Sequence, residues 1–136
     1  HAGGARRVKE LTGAQLMVMD QDVATVETGG KDMPPVKVDR VLRDKHEVRL
    51  GGVAIVAYRT SGHTPGNTTY VWKANQSGNA YTVVLAGSLS SDARRLAAPA
   101  TPTLVEDYRQ SIRLLKSLPC DVFLGSHGKF FDLRAK

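Results

Sequence analysis

The chain has 136 residues, of which 41% are hydrophobic and 24% charged, a composition typical of one soluble globular domain and not of a disordered chain. Its net charge of +6 is dispersed along the sequence without interleaved aromatic residues, which argues against nucleic acid as a partner. No segment has the length of a membrane span or the composition of a signal peptide, and the single cysteine, Cys120, excludes an internal disulfide.

The first 30 residues predict a helix, a strand and a second helix. A helix over 2–12 is expected because its apolar residues share one face and Gly13 can end it. The continuous apolar run 15–19 is typical of a strand that is covered on both faces. Asp20 can then cap a second helix, which the glycine pair 29–30 ends.

The middle of the chain predicts two antiparallel strand pairs. The alternating runs 46–50 and 53–58 are joined by Gly51-Gly52, a strong signal for a two-residue hairpin. The runs 68–73 and 80–86 form a second pair around a longer polar connection.

The last part of the chain predicts a helix and a final strand over 122–124. Thr103 and Glu106 have the spacing of a capping box, and Cys120 is expected to be a small buried apolar residue. The apolar stripe of this helix comprises Leu104, Tyr108, Ile112 and Leu115. The whole order predicts an α/β (α+β) fold in a single domain over 1–136, with mixed sheets and helices on the outer faces.

Two histidines lie on glycine-rich loops that directly follow predicted strands. His63 lies in Gly62-His63-Thr64-Pro65-Gly66, and His127 lies in Gly125-Ser126-His127-Gly128. A sheet holds such loops in place, and catalytic or metal-binding side chains are often found on them. His1 precedes a helix-like segment and is a third candidate, whereas His46 lies in a charged run and is predicted to be a solvated surface residue.

Each of these histidines also has a simpler interpretation. A turn histidine bonded to the backbone is the alternative for His63, but its unusual motif favours a functional role. For His127 alone, a metal ligand and a hydrogen-bonded loop histidine are equally compatible with the sequence, and its position at a strand end favours the ligand. His1 alone would be only a chain terminus.

Three histidines at such junctions predict a metal site. Zn²⁺ in catalytic sites is usually held by three protein ligands, and neutral imidazole is a favoured one. A zinc-bound water loses its proton near neutral pH and attacks the substrate, while the metal polarises the attacked carbonyl. No persuasive Ser-His-Asp or Cys-His arrangement is present, so no catalytic side chain is expected beyond the metal-bound water.

Several short motifs occur in an order that resembles a known enzyme family. They are His63-Thr64-Pro65-Gly66, Gly87-Ser88-Leu89-Ser90, Glu106-Asp107-Tyr108-Arg109, the run 118–124 and Gly125-Ser126-His127. Together they resemble the metallo-β-lactamases of the third subclass of class B over nearly the whole chain. In that family Ala-Gly-Gly follows the last histidine of a His-x-His-x-Asp-His motif, and this chain opens with His1-Ala2-Gly3-Gly4. The resemblance implies a partial αββα sandwich without its N-terminal strands and its last helix.

The resemblance also implies two zinc ions in the complete enzyme. It assigns His63 to one zinc ion, and His1 and His127 to the second. The remaining histidines and an aspartate would lie before His1, so the chain by itself is expected to hold an incomplete site. The family is periplasmic or secreted, and the same location is expected here.

Two serines are implied as substrate ligands. Ser88 and Ser90 match positions that hold the β-lactam carboxylate in the family, although plain turn serines are the alternative. Many superfamily hydrolases, glyoxalase II among them, have a bridging aspartate at the position of Ser88. Glyoxalase-like enzymes commonly have a histidine at the position of Asn67. Both differences favour a lactamase over a thioesterase.

The sequence and the resemblance together predict a zinc hydrolase whose metal-bound hydroxide opens the amide of a small β-lactam, with no nucleic-acid or membrane partner. One alternative is a lactonase or thioesterase of the same superfamily. A second is a non-catalytic fragment that binds no metal. In a third, His1 is a mature N-terminus that chelates copper. The oligomeric state stays open.

Overall fold

The computed structural model describes residues 2–30, 32–91, 102–128, 132 and 134. A short 3-10 turn, Asp20–Asp22, precedes the second helix. The elements in chain order are α1 (Ala5–Thr12), β1 (Met17–Met19), α2 (Val23–Thr28), β2 (Arg40–Leu42), β3 (His46–Leu50), β4 (Val53–Arg59), β5 (Thr68–Gln76), β6 (Asn79–Ala86), α3 (Pro102–Ser117) and β7 (Val122–Gly125).

The strands form two sheets. Strands β1 and β2 pair in parallel, and β3 to β7 form a five-stranded sheet in sequence order. This larger sheet is antiparallel except for β6 and β7, which are parallel neighbours. Helix α3 lies between these two strands in the sequence, as a parallel connection requires a crossover. The predicted α/β (α+β) class with mixed sheets is confirmed.

Both faces of the smaller sheet make apolar contacts, as the sequence predicts for its first strand, although Val41 of β2 is 47% exposed. On one side Met19 and Leu42 pack against Ala57 of β4, which joins the two sheets. On the other side Val18 packs against a cluster that includes Val26 of α2. Burial of these apolar side chains provides the main stabilisation of this layered arrangement.

Helix α1 differs from the prediction in the face that it buries. Val8 is 55% exposed and Leu11 is 65% exposed. Ala5 packs against the apolar cluster instead, and Lys9, one turn later on the same face, pairs with Asp39 at 2.6 Å. A polar anchor therefore attaches this short helix to the rest of the fold.

Helix α3 also differs in detail. It begins at Pro102, a residue suited to the first helical position, so Thr103 lies inside the helix and the predicted capping box is wrong. Ile112 is 47% exposed, whereas Ser111 is 3% exposed because its hydroxyl donates to a backbone carbonyl. Cys120, expected to be buried, is exposed. None of the helices in the described ranges is long and apolar enough to cross a membrane.

The predicted hairpins are both present. Gly51 adopts a φ of 58° in the turn between β3 and β4. The second hairpin is longer than predicted, because polar residues continue both strands up to a two-residue turn of Ser77 and Gly78. Both turn residues have positive φ, the conformation that suits a tight hairpin.

Candidate metal centre

The loop that contains His63 lies at one edge of the larger sheet and lines a cavity of about 630 Å³. Strands β6 and β7 are parallel, so their carboxyl ends meet at this same edge. Ser88 follows β6 and Ser126 follows β7, and both line the cavity. Carboxyl ends of parallel strands are a common place for ligand sites. The topology thus brings three of the predicted loops together.

The His63 ring has a defined orientation. Its Nδ1 atom lies 2.8 Å from the backbone carbonyl oxygen of Ser90. A carbonyl oxygen can only accept a hydrogen bond, so Nδ1 carries a proton and donates it to Ser90. Metal-ligating histidines commonly donate their other ring N–H to a carbonyl or carboxylate in this way. The contact of His63 with Ser90 has this arrangement at Nδ1, and the role of His63 as a metal ligand stays a prediction.

The two predicted substrate-binding serines contact each other. The Oγ atoms of Ser88 and Ser90 are 2.8 Å apart, and the backbone N–H of Ser90 donates to Ser88 Oγ at 3.3 Å. Ser88 is 4% exposed and lines the cavity, and Ser90 lines an adjacent smaller one. The pair therefore lies beside His63, while its role toward a substrate stays a prediction.

Tyr108 supports the His63 loop from helix α3. Its hydroxyl donates to the Ser90 carbonyl oxygen at 2.9 Å. Its ring packs on Gly62, where a Cβ atom would lie only 2.7 Å from the ring. The predicted stripe correctly buries Tyr108, which is 9% exposed, but sequence reasoning missed this polar contact. The glycine directly before His63 was the available signal for it.

Asp22 holds the other side of the same loop. One carboxylate oxygen accepts the hydroxyl of Thr64, and the other accepts the backbone N–H of Gly66 at 2.8 Å. Asp22 occupies the N-cap position of α2 without capping it by a side-chain hydrogen bond, and Asp20 does not cap this helix either. Sequence reasoning missed Asp22, because only the fold brings it to the loop.

Asn67 closes the base of the loop. The side-chain Nδ2 atom of Asn67 donates to the backbone carbonyl oxygen of Thr60 at 2.7 Å. The backbone carbonyl oxygen of Asn67 accepts the backbone N–H of Thr60. Thr60 is fully buried and its hydroxyl lies 3.0 Å from that of Thr69. The amide of Asn67 thus has a structural role here. Tyr70, which also lines the cavity, has its pKa raised above the ordinary value by burial.

The other two histidines are placed less completely. His127 is half-buried and directly follows Ser126 of the cavity wall. His1 lies outside the described residues, but its neighbour Ala2 lines the cavity. Within the described ranges, no group of three His, Cys, Asp or Glu side chains lies close enough together to hold a metal ion. Among the described residues, His63 lines the cavity with a defined ring orientation, and His127 follows a residue that lines it.

No family model matches the chain, but several solved structures do. The metallo-β-lactamase FEZ-1 from Legionella gormanii is 38% identical, and the match covers 100% of this chain with a TM-score of 0.90. BJP-1, a subclass B3 metallo-β-lactamase of Bradyrhizobium japonicum, is 31% identical over 100% of this chain, also with a TM-score of 0.90. Over its whole length the chain is similar to metallo-β-lactamases.

The match to metallo-β-lactamases is partial in length. The chain spans 57% of FEZ-1 and 55% of BJP-1, a little over half of each enzyme. LRA-12 from an Alaskan soil metagenome, a class B3 di-zinc metallo-β-lactamase, is 23% identical over 99% of this chain and 56% of its own, with a TM-score of 0.85. That last likeness concerns the fold alone. The resemblance to the third subclass of class B that the motifs indicate is confirmed.

Proposed function

We propose that this chain is part of a zinc-dependent hydrolase that opens the amide ring of β-lactams. The observation that supports this most strongly is the orientation of His63, whose Nδ1 proton is bound to the Ser90 carbonyl at the edge of a metallo-β-lactamase fold. The fold that the chain shares with metallo-β-lactamases also supports the proposal.

The donor set fits zinc as a partial site. Neutral imidazole is a preferred zinc ligand, and the proposal assigns His63 to one zinc ion and His127 to a second. The described residues do not complete either site, so His1 and ligands outside the described ranges would supply the rest. When bound, zinc would supply an acidified water and a Lewis acid for the amide carbonyl.

The chain's own residues would orient both metal and substrate. The Ser90 carbonyl fixes the His63 tautomer, and Asp22 holds the loop that follows. Ser88 and Ser90 offer two neighbouring hydroxyl groups that could hold a substrate carboxylate beside His63. The net charge of +6 favours the approach of such an anion.

The size of the cavity supports a small-molecule substrate. Its volume of about 630 Å³ lies within the range of about 300–1,000 Å³ that is usual for small-ligand pockets. A periplasmic or secreted location is part of the same proposal, because it is where the family acts. No element of the proposal requires a nucleic-acid or membrane partner.

A substrate panel tests the proposed reaction. The 136-residue chain, with zinc added, is assayed on a carbapenem, a lactone and a thioester, each before and after a strong chelator. Chelator-sensitive hydrolysis of the carbapenem supports the proposal. Preferential hydrolysis of the lactone or thioester would favour the alternative hydrolase of the same superfamily.

The second candidate function is a non-catalytic fragment that binds no metal. It is favoured by the absence of a three-ligand group among the described residues. A ligand that binds only the native state must stabilise it, so zinc should raise the melting temperature of a metal-binding chain. Equal melting temperatures in zinc and in chelator, together with no hydrolysis, would favour the fragment.

A further inference from the structure

We propose that Tyr108 is a positioning residue that sets the tautomer of His63 through the Ser90 carbonyl. This inference rests on the proposed function where it treats His63 as a metal ligand. The contacts that support it lie within the chain itself, and they can be measured without any metal or substrate.

The Ser90 carbonyl oxygen accepts two hydrogen bonds. His63 Nδ1 lies at 2.8 Å and the Tyr108 hydroxyl at 2.9 Å from it. A carbonyl oxygen has two lone pairs, so these two donors satisfy it fully. The Tyr108 hydroxyl therefore fixes the acceptor that the imidazole requires.

Tyr108 also constrains the residue that precedes His63. Its ring lies so close to Gly62 that a Cβ atom there would be 2.7 Å from ring carbon. One turn further along α3, the Ser111 hydroxyl donates to the Ser61 carbonyl oxygen at 2.7 Å. Helix α3 thus anchors both the backbone entering His63 and the acceptor of its Nδ1 proton.

Loss of the Tyr108 hydroxyl would remove one of the two hydrogen bonds that hold the Ser90 carbonyl oxygen in place. The serine segment would loosen with it, because the Ser90 N–H and Oγ are both bonded to Ser88 Oγ. Neutral imidazole in water favours the tautomer with its proton on Nε2. Without a fixed acceptor at Nδ1, the His63 ring would shift toward that tautomer and would place a proton on the nitrogen needed for a metal.

The test is the substitution Tyr108→Phe, which keeps the ring against Gly62 and removes only the hydroxyl. In the metal-free chain, ¹⁵N shifts of the neutral His63 ring report which nitrogen carries the proton. The expected result is a predominantly Nδ1–H ring in the original chain and a mixture in the variant. Hydrogen exchange of the Ser90 N–H should accelerate by roughly 2- to 10-fold, the change expected for one lost hydrogen bond.

A matched control is Tyr81→Phe. Tyr81 pairs with Ala74 near the turn of the β5–β6 hairpin, at the end of the sheet opposite to His63. This variant should leave the ring shifts of His63 and the exchange of Ser90 unchanged. An identical loss in both variants would indicate general destabilisation and would overturn the positioning role.

A measurement on the unmodified chain keeps the proposal falsifiable if Tyr108→Phe fails to fold. The Tyr108 hydroxyl and the His63 Nδ1–H both donate hydrogen bonds to the Ser90 carbonyl oxygen, which brings their two protons close together. A nuclear Overhauser contact between these protons is therefore expected. The proposal would be overturned if a folded chain shows both protons but no contact between them. It would also be overturned if the His63 tautomer is unchanged in a folded Tyr108→Phe chain. Both readouts are independent of β-lactam hydrolysis, so a failed hydrolysis assay would bear on the proposed function alone.

Discussion

The carboxylate of Asp22 accepts the backbone N–H of Gly66 at 2.8 Å, across 44 positions of sequence. The same carboxylate accepts the hydroxyl of Thr64. Two of the three residues that follow His63 are therefore tied to the start of α2. This contact links the smaller sheet and its helix to the loop that the proposed metal centre requires.

Removal of this carboxylate should loosen the loop. For Asp22→Ala we expect a loss of about 1–3 kcal/mol in the free energy of unfolding, because a buried N–H and a hydroxyl lose a charged acceptor. Denaturant unfolding measures this loss, and hydrogen exchange at Gly66 shows whether it is local. Asp20→Ala, in the same 3-10 turn but exposed, is the control and should change stability by less than about 0.5 kcal/mol. Equal effects of the two substitutions would contradict the role of Asp22.

Gly66 should not tolerate a side chain. A Cβ atom at this position would lie 2.6 Å from Cγ of Asp22. We expect Gly66→Ala to destabilise the chain by about 1–3 kcal/mol through overpacking, measured by thermal unfolding. Gly52→Ala is the matched control, because nothing lies within 4 Å of a Cβ atom there. A Gly66→Ala chain as stable as the Gly52→Ala chain would show that the close approach is not as described.

Zinc should stabilise the chain through His63 and His127. In His63→Ala and His127→Ala chains we expect a smaller zinc-induced rise in melting temperature, because each loses a ligand. In any form of the protein with metal-dependent hydrolysis, either substitution should abolish that activity. His46→Ala is the control, since His46 lies on β3 and contacts Arg40 at 3.0 Å. Normal zinc stabilisation and turnover in the His63 and His127 variants would mean that the ligands are misassigned.

Acid should weaken the attachment of α1. The hydrogen bond from Lys9 and the backbone N–H of Leu16 hold the pKa of Asp39 below its ordinary value of 3.8. The unfolded chain therefore binds this proton at higher pH than the folded chain, and stability is lost as the pH falls below about 4. Asp39→Asn should flatten this part of the stability profile, measured by urea unfolding from pH 6 to pH 2.5. The Asp20→Asn profile should keep the slope of the original chain, and the same flattening in both variants would contradict this role.

The sequence predicts elements well where the pattern is local. The Gly51-Gly52 turn and the strand 122–124 are found as expected, since turn chemistry and apolar periodicity act over a few residues. The buried face of α1 is not predictable in the same way. Lys9 and Ala5 are turned inward by a contact with Asp39 that only the tertiary fold creates.

The candidate site follows the same division. The glycine-rich motif points to His63 without any structure, because glycine and proline restrict the backbone locally. The supports of that histidine, Asp22 and Tyr108, come from distant elements that bear no motif of their own. Periodicity assigns Tyr108 to the core correctly, but it cannot show that its hydroxyl reaches the Ser90 carbonyl. The predicted roles of His1, His63 and His127 as metal ligands stay predictions.

The most direct measurement is hydrolysis of a carbapenem by the 136-residue chain with added zinc, followed before and after a strong chelator. Because the chain by itself is expected to hold an incomplete site, we predict that any turnover is abolished by the chelator, restored by zinc and absent from the His63→Ala chain. A folded chain that leaves the carbapenem intact would agree with an incomplete site, whereas hydrolysis of the carbapenem with no zinc bound would contradict the proposed reaction. So would turnover that survives the chelator or persists in the His63→Ala chain.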